Sequence, residues 1–375
     1  MTNFAQHSKQ TMRHLTLGLA LFLANFASQG MAQSTPQQVR GINARGAKWQ
    51  ALTDQGQVAV ATNATTEYVA WKVNGSENIE YSTSKDSVTW TAPLVVKGTY
   101  QHRAWKAQTL GVPAIMVDND TGYVWLAWTD PTTSDLFYST YNGAAWAYPQ
   151  AVSGQGWTAQ NLVSGASPAL GGGNGITITW IGYQSPDVYI FYSNWTSPGW
   201  SVPQTVSNSN WTATPVPSGF STPSLTEALS GASAMYWVDY YGDIYGSAFI
   251  FGEWAPETVI GCDSWTAQTW DDNPPAAANF TLNGGGNAML FWVNYAGDGY
   301  QMAYTYETFD QNGCAWADPA TIDIAPGFTN SNGYVGPAVS VGSNLSILAW
   351  PQLVKNSETK STVWYLNPLT LPGLN

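Results

Sequence analysis

The sequence predicts an all-β fold built from repeats, on three observations. The 375 residues include 36 Gly and 21 Pro, and no long segment carries an apolar stripe at a 3.6-residue period, so helices are not expected. Aromatic residues make up 14% of the chain, which a disordered polypeptide would not show. A closing element of Trp, then Pro two or three residues on, then Val or Ile three beyond the Pro, recurs along the chain. It spans Trp90–Val96, Trp146–Val152, Trp200–Val206, Trp254–Val259 and Trp316–Ile322, and its prolines (Pro93, Pro149, Pro203, Pro256, Pro319) lie 56, 54, 53 and 63 residues apart.

Each unit reads the same way from start to end. A first strand opens at Pro113, Pro168, Pro223, Pro275 and Pro337, with Gln57-Val58-Ala59 in their place in the first unit. After a short Gly, Asn or Ser turn, an apolar run ends in Trp71, Trp128, Trp180, Trp237, Trp292 or Trp350. A polar loop leads to a Tyr-rich third strand, as in Ile79–Ser82, Leu136–Ser139 and Tyr189–Ser193, and the closing element supplies the fourth. Four short β runs per unit, six times over, define a six-bladed β-propeller of four-stranded antiparallel blades. A parallel β-helix would have shorter repeats. The last unit stops after a third strand at Thr362–Leu366, while Ser34-Thr-Pro36-Gln-Gln-Val39 copies Ser201–Val206. An N-terminal strand is therefore expected to complete the last blade and cover its open edge.

Residues 1–32 read as a secretory signal. Lys9, Arg13 and His14 precede an apolar run from Leu15 to Ala27, and Gly30-Met31-Ala32 offers small residues for cleavage. The run is too short for a membrane span, which needs roughly 20 apolar residues. The propeller is assigned to residues 33–375, and the expected location is extracellular or periplasmic.

The turn between third and fourth strands resembles the Asp-box of sialidase-type propellers. Ser139-Thr-Tyr141-Asn-Gly143-Ala-Ala-Trp146 keeps the frame with Tyr141 in place of Asp. Ser193–Trp200 and Ser247–Trp254 keep only the length, and Ser84-Lys-Asp86-Ser-Val-Thr-Trp90 has the Asp but is one residue short. The resemblance implies the architecture. A sialidase would also need three arginines gripping a carboxylate from different blades, with a Tyr–Glu pair and an acid. After the signal this chain has only Arg40, Arg45 and Arg103, two of them ahead of the first blade.

Composition removes other functions. A formal net charge of -12, with 12 Lys and Arg against 24 Asp and Glu, lacks the basic footprint nucleic acid requires. His102 is the one histidine beyond the signal, so a His triad or multi-His metal site has nothing to draw on; it reads as a solvated loop residue. Asp118-Asn-Asp120-Thr-Gly122 has alternate oxygens and a turn Gly, but it falls where other blades turn, so it reads as a hairpin. No metal and no cofactor is expected. A glycoside hydrolase or lyase needs only two carboxylates, which 24 acids could supply around the central channel. The most irregular unit is the fifth, with Asp271-Asp272.

One recurring set points to ligand binding. After each closing element comes an aromatic followed by a small or polar residue: Trp49, Trp105 with Gln108, Trp157 with Gln160, Trp211, Trp265 with Gln268, and weakly Phe328. These links share a propeller face with the loops bearing Asp135, Asp187, Asp243 and Asp298. A Trp ring can stack on a sugar while carboxylates and amides bond its hydroxyls, and repeated weak sites on a rigid disc add avidity. Wedging between blades is the structural alternative for these Trp rings; the second-strand and closing-element tryptophans read as packing. The expected function is a secreted, lectin-like propeller for glycans, with an enzyme or a protein-binding adhesion module as alternatives. Cys262 and Cys314, an even count in a secreted chain, suggest a disulfide, although the repeat places them toward opposite faces.

Overall fold

The computed structural model describes residues 39–370 apart from 43–47, 54–57, 161–166, 173–174, 185–186, 216–221, 228–231, 270–272, 283–284, 296–299, 309–314, 323–335, 342–345 and 356–361. The signal segment, Arg45, Asp271-Asp272, Asp298, Cys314 and Phe328 lie outside the described residues. Every described element is a β-strand, and no helix long and apolar enough to cross a membrane occurs among these residues.

Six antiparallel sheets form the blades, each counted from the axis outward. Blade 1 comprises Ala59–Thr62, Glu67–Lys72, Ile79–Ser84 and Leu94–Val95. Blade 2 comprises Ala114–Val117, Val124–Thr129, Leu136–Tyr141 and Gln150–Ala151. Blade 3 comprises Ala169–Gly171, Thr177–Gln184, Asp187–Thr196 and Gln204–Thr205. Blade 4 comprises Ser224–Glu227, Ser233–Val238, Ile244–Ile250 and Thr258–Val259. Blade 5 comprises Ala276–Leu282, Gly285–Tyr295, Tyr300–Tyr306 and Ala320–Ile322. Blade 6 comprises Ala338–Val341, Ser346–Lys355 and Thr362–Thr370, with Leu52–Thr53 added from the other end of the chain.

The six first strands neighbour one another in a closed ring. They surround a channel of about 140 Å³ lined by Val58, Pro113, Pro168, Pro223, Pro275 and Pro337 with small apolar neighbours. Each first strand is a sheet edge, and in blades 2 to 6 a Pro at its start removes a donor, which disfavours pairing across the axis.

Large flat side chains fill the seams. Trp71, Trp128, Trp180, Trp237, Trp292 and Trp350 are all buried, each at the end of its blade's apolar run. Trp128 packs into a cluster with Ala59, Ala61 and Ala70 of blade 1, and Trp71 into one with Ile347 and Ala349 of blade 6. Burying one such ring contributes roughly 3 kcal/mol or more by area alone. The closing-element tryptophans meet a Tyr of the preceding blade edge to face: Tyr81 and Trp146 at 5.5 Å and 82°, Tyr138 and Trp200 at 5.4 Å and 83°, Tyr192 and Trp254 at 5.5 Å and 84°. At the next seam Gly246 stands where the Tyr would be. Tyr236, its cross-strand partner, takes over and meets Trp316 at 5.9 Å and 81°.

A hydroxyl bond repeats with the Trp. Ser82, Ser139, Ser193, Ser247 and Thr305, all buried, donate to the carbonyls of Thr91, Ala147, Ser201, Ala255 and Ala317, each directly after a closing Trp, at 2.6–2.7 Å. This fixes the fourth strand at the point where its ladder is shortest.

The turns before these strands vary. In blade 1 Asp86 Oδ1 accepts from the backbone N–H groups of Val88 (3.0 Å) and Thr89 (2.6 Å) and from Ser84 Oγ (3.0 Å). These bonds to the charged form hold its carboxyl down at about 2. In blade 2 the same work falls to Asn142, whose Oδ1 accepts from Ala144 and Ala145 at 3.0 Å each, one residue after the degenerate Tyr141. Asp118 Oδ1 accepts from Asp120 N in a hairpin turn with Gly122 at φ +72°, and no group of three metal-ligating side chains occurs among the described residues.

The ring closes with the N-terminal segment, as the sequence predicts. Leu52 and Thr53 pair with Tyr365 and Trp364, and buried Val39 packs against Ile347 and Ala349. Val39 O accepts from Ala51 N (2.8 Å), as Val96, Val152 and Val206 accept from Ala107, Ala159 and Ala213. Val39 therefore occupies the closing-element position; Ser34–Gln38 lie outside the described residues. The last third strand runs to Thr370, beyond the expected Leu366.

Candidate functional site

After the fourth strands of blades 1, 2 and 4 the chain makes a small excursion at the rim before returning to the start of the third strand. Leu136 N donates to Ala159 O (2.9 Å), Ile244 N to Ala267 O (3.0 Å) and Ile79 N to Ala107 O (3.3 Å). This return sets Gln160 opposite Asp135, Gln268 opposite Asp243 and Gln108 opposite Asn78. Side chains complete two of the pairs: Gln160 Nε2 donates to Asp135 Oδ1 at 3.1 Å, and Gln268 Nε2 to Asp243 Oδ1 at 2.6 Å. Both Gln residues are exposed and both Asp half-buried, so each pair offers free carboxylate and amide capacity to solvent. Asp187 stands exposed at the start of its third strand, accepting from Tyr189 Oη at 3.2 Å.

The link tryptophans take the other side of the same strand. The excursions are hairpins: Arg40–Ile42 with Lys48–Gln50, Lys97–Tyr100 with Arg103–Lys106, Ser153–Gly154 with Trp157–Thr158, and Gly261–Cys262 with Trp265–Thr266. From Trp157 to Gln160 the pattern runs half-buried, exposed, buried, exposed, so alternation carries Trp157 and Gln160 to opposite sides. The Trp157 ring lies over Gly154, where a Cβ would come within 2.4 Å of Nε1; Trp105 covers Gly98 likewise, at 2.8 Å. Trp211 stacks on Trp237 at 6.3 Å and 8°. Trp105, Trp157, Trp211 and Trp265 each pack against a core cluster as half-buried wedges. Trp49 stands at the matching place in the first hairpin.

The rim hairpins also settle the cysteine geometry. Cys262 is disulfide-bonded, and Cys314 is the other cysteine of the chain. The expectation of opposite faces is corrected: the hairpin leans on the next blade, bringing Cys262 Sγ to 3.3 Å from Trp316 O, just as Asn208 Nδ2 reaches Trp254 O at 3.1 Å.

Among the described loops, that of blade 4 departs from the others. In Asp239-Tyr240-Tyr241-Gly242-Asp243, Asp239 Oδ1 accepts from Tyr241 N (2.8 Å) and Asp243 N (2.9 Å), and Gly242 takes φ +84°. The tight turn leaves Tyr240 77% and Tyr241 81% exposed, their rings 5.8 Å apart beside the Asp243–Gln268 pair. Burial, and then the negative charge of Asp239, raise the Glu257 carboxyl. Burial, then Asp239, Asp243 and Glu257, raise Tyr245. Sequence reasoning singled out Asp243 and missed Tyr240, Tyr241, Asp239 and Glu257; the signal was two adjacent tyrosines where other blades place small turn residues. A second recess, about 600 Å³, opens between blades 3 and 4 and includes Tyr183, Tyr192, Gln204, Glu253 and Trp254. Among the described residues, the channel lining contains no carboxylate.

The arrangement belongs to the class of six-bladed propellers, and solved structures agree. No family model and no curated protein sequence matches the chain. The Aleuria aurantia lectin bound to Fucα1-6GlcNAc superposes with a TM-score of 0.59 at 13% identity, over 87% of this chain and 98% of that one. The GH93 α-L-arabinofuranosidase of Fusarium graminearum with arabinobiose gives 0.57 at 12%, over 91% and 99%. A Hadza microbial sialidase gives 0.55 at 13%, over 91% and 69%. At these identities the likeness concerns the fold.

Proposed function

We propose that this protein is a secreted carbohydrate-binding propeller with repeated shallow sites at the blade edges. The observation that carries the reading is the recurrence of an accessible carboxylate–amide pair, Asp135–Gln160 and Asp243–Gln268, at equivalent places in two blades. A planar acceptor beside a planar amide suits neighbouring hydroxyls of a sugar ring, and Tyr240 and Tyr241 add aromatic surface at one pair. Structural neighbours that bind or cleave carbohydrates support the reading at the level of fold. The half-buried tryptophans, on the other side of the strand, hold the hairpins in place.

The test is a glycan array of residues 33–375 beside a folded Gln160→Ala/Gln268→Ala variant. Binding by the wild type that drops about tenfold or more in the variant supports the reading, since an avid array signal compounds two lost contacts. Absence of binding by the wild type refutes it.

A second reading, glycoside hydrolysis, rests on one observation in blade 4. Burial first, and then the charge of Asp239, raise the Glu257 carboxyl, the direction a general acid requires. Sugar release from arylglycosides that vanishes in Glu257→Gln would favour it over binding alone.

A further inference from the structure

Basic residues are segregated in this molecule. From Ala107 to Val354 the sequence has no Lys, Arg or His, whereas eighteen of its 24 acids fall in that stretch. Blades 2 to 5 therefore carry no cationic side chain. Basic groups lie instead on the N-terminal hairpin, with Arg40 and Lys48, on blade 1, with Lys72 and Lys85, and on the hairpin between blades 1 and 2, with Lys97, His102, Arg103 and Lys106.

The hairpin between blades 1 and 2 is the longest of the described rim hairpins and, with Arg40–Ile42 and Lys48–Gln50, one of two that carry cations. Its strands have four residues each, against two in the hairpins at Ser153 and Gly261. Gln101 and His102 form the tip in left-handed conformation, at φ 48° and 65°, the pair of positive values that a two-residue hairpin turn requires. Its register sets Lys97 directly opposite Lys106, like charges on one face, and neither they nor Arg103 form an ion pair among the described residues. Alternation puts Tyr100, Arg103 and Trp105 on the other face, where Tyr148 of blade 2 packs: its ring is 4.5 Å from Tyr100 and 6.4 Å from Trp105. Tyr100 and Tyr148 are each 48% exposed.

We infer that this hairpin binds a glycan bearing a single anionic substituent: a sulfate, phosphate or carboxylate. The inference rests on the carbohydrate reading above and gives one of its sites a ligand class. The guanidinium of Arg103 is a fixed planar fork that matches the oxygens of such a group, and the Tyr100 and Tyr148 rings beside it supply surface for the sugar. Lys97 and Lys106, across the thin ribbon, lie within about one screening length of roughly 8–10 Å and raise the potential at the Arg103 face. The acidic remainder of the disc repels long polyanions, so a short or terminally charged glycan fits where a sulfated polymer does not.

An array carrying neutral glycans beside their sulfated, phosphorylated and uronic-acid counterparts tests this, with wild type, Arg103→Gln and Lys97→Gln/Lys106→Gln. Thermal melts of all three proteins establish folding, and the lysine variant should be no less stable than wild type because a like-charge pair is removed. Charged forms should bind at least about tenfold tighter than neutral ones, the usual advantage of a charge-assisted pair. Arg103→Gln should abolish the preference, and the lysine variant should weaken it several-fold at low salt and little at high salt. Equal binding of charged and neutral forms, unchanged in Arg103→Gln, overturns the proposal and leaves the carbohydrate reading standing. Absence of all glycan binding removes both. Sedimentation at low salt adds the remaining alternative: self-association lost in Arg103→Gln, with no charge preference on the array, would assign the hairpin to the acidic blades of a second copy and overturn the proposal.

Discussion

At the seams from blade 1 to blade 4, a third-strand Tyr meets the closing Trp of the next blade; between blades 4 and 5 the Tyr comes from the second strand. The registers explain the exchange. Tyr81, Tyr138 and Tyr192 sit opposite Ala70, Ala127 and Thr179, whereas Gly246 sits opposite Tyr236. A small residue and a Tyr have changed places across one rung, and the ring still reaches its Trp edge to face. What the repeat preserves is a volume and an orientation at the seam, not a residue at a position.

The largest break in this comparison should come from Trp200→Ala. Its ring lies 5.4 Å from Tyr138 and 5.3 Å from Trp195, and emptying that site should cost about 3–5 kcal/mol in denaturant unfolding. Next, Gly246→Ala should cost about 1–3 kcal/mol, because a Cβ there would meet the Tyr236 ring at 2.8 Å. Adding Tyr236→Ala to Gly246→Tyr should recover much of the loss of either change alone, recreating the ordinary rung; additive losses would show that the two seams are not equivalent. Ser139→Ala, which strips the Ala147 carbonyl of its 2.7 Å donor, should cost about 1–2 kcal/mol.

Titration gives the smallest and most selective effects. The Tyr81 hydroxyl is raised from 10.0 to about 12 by burial first, with Tyr141 adding. Its contribution is complete below pH 10 and is lost as pH rises toward 12, so Tyr81→Phe should flatten the alkaline fall in Tm. Asp86, lowered from 3.8 to about 2 by the bonds from Thr89 and Val88, contributes above pH 3.8 and fades as pH falls through 2. Asp86→Asn should therefore differ from wild type at pH 6 and converge with it near pH 2, by well under 1 kcal/mol at so exposed a site.

Much of the fold was legible because a propeller seam demands large flat residues and fixed prolines, and those are rare enough to mark a period. The Val39 clasp was legible for the same reason: its carbonyl makes the bond that Val96 and Val152 make. The sequence put the loop acids and the link glutamines on one face, but their pairing as Asp135–Gln160 and Asp243–Gln268 was not read there. Also hidden was the excursion between them. Read as an open link, it put Trp157 beside Gln160; folded as a rim hairpin, it alternates them apart and leans Cys262 toward the next blade. Tyr240 and Tyr241 were invisible to a search for recurrence because they do not recur.

The pairing of Leu52–Thr53 with Trp364–Tyr365 sets an order on biosynthesis. Blades 1 to 5 draw all four strands from consecutive sequence, so each can assemble as its residues emerge. The sixth waits for a segment made first, held in reserve throughout translation. Until that late contact forms, the nascent protein carries one unpaired sheet edge, and a delay there exposes the chain to pairing with its neighbours rather than with itself.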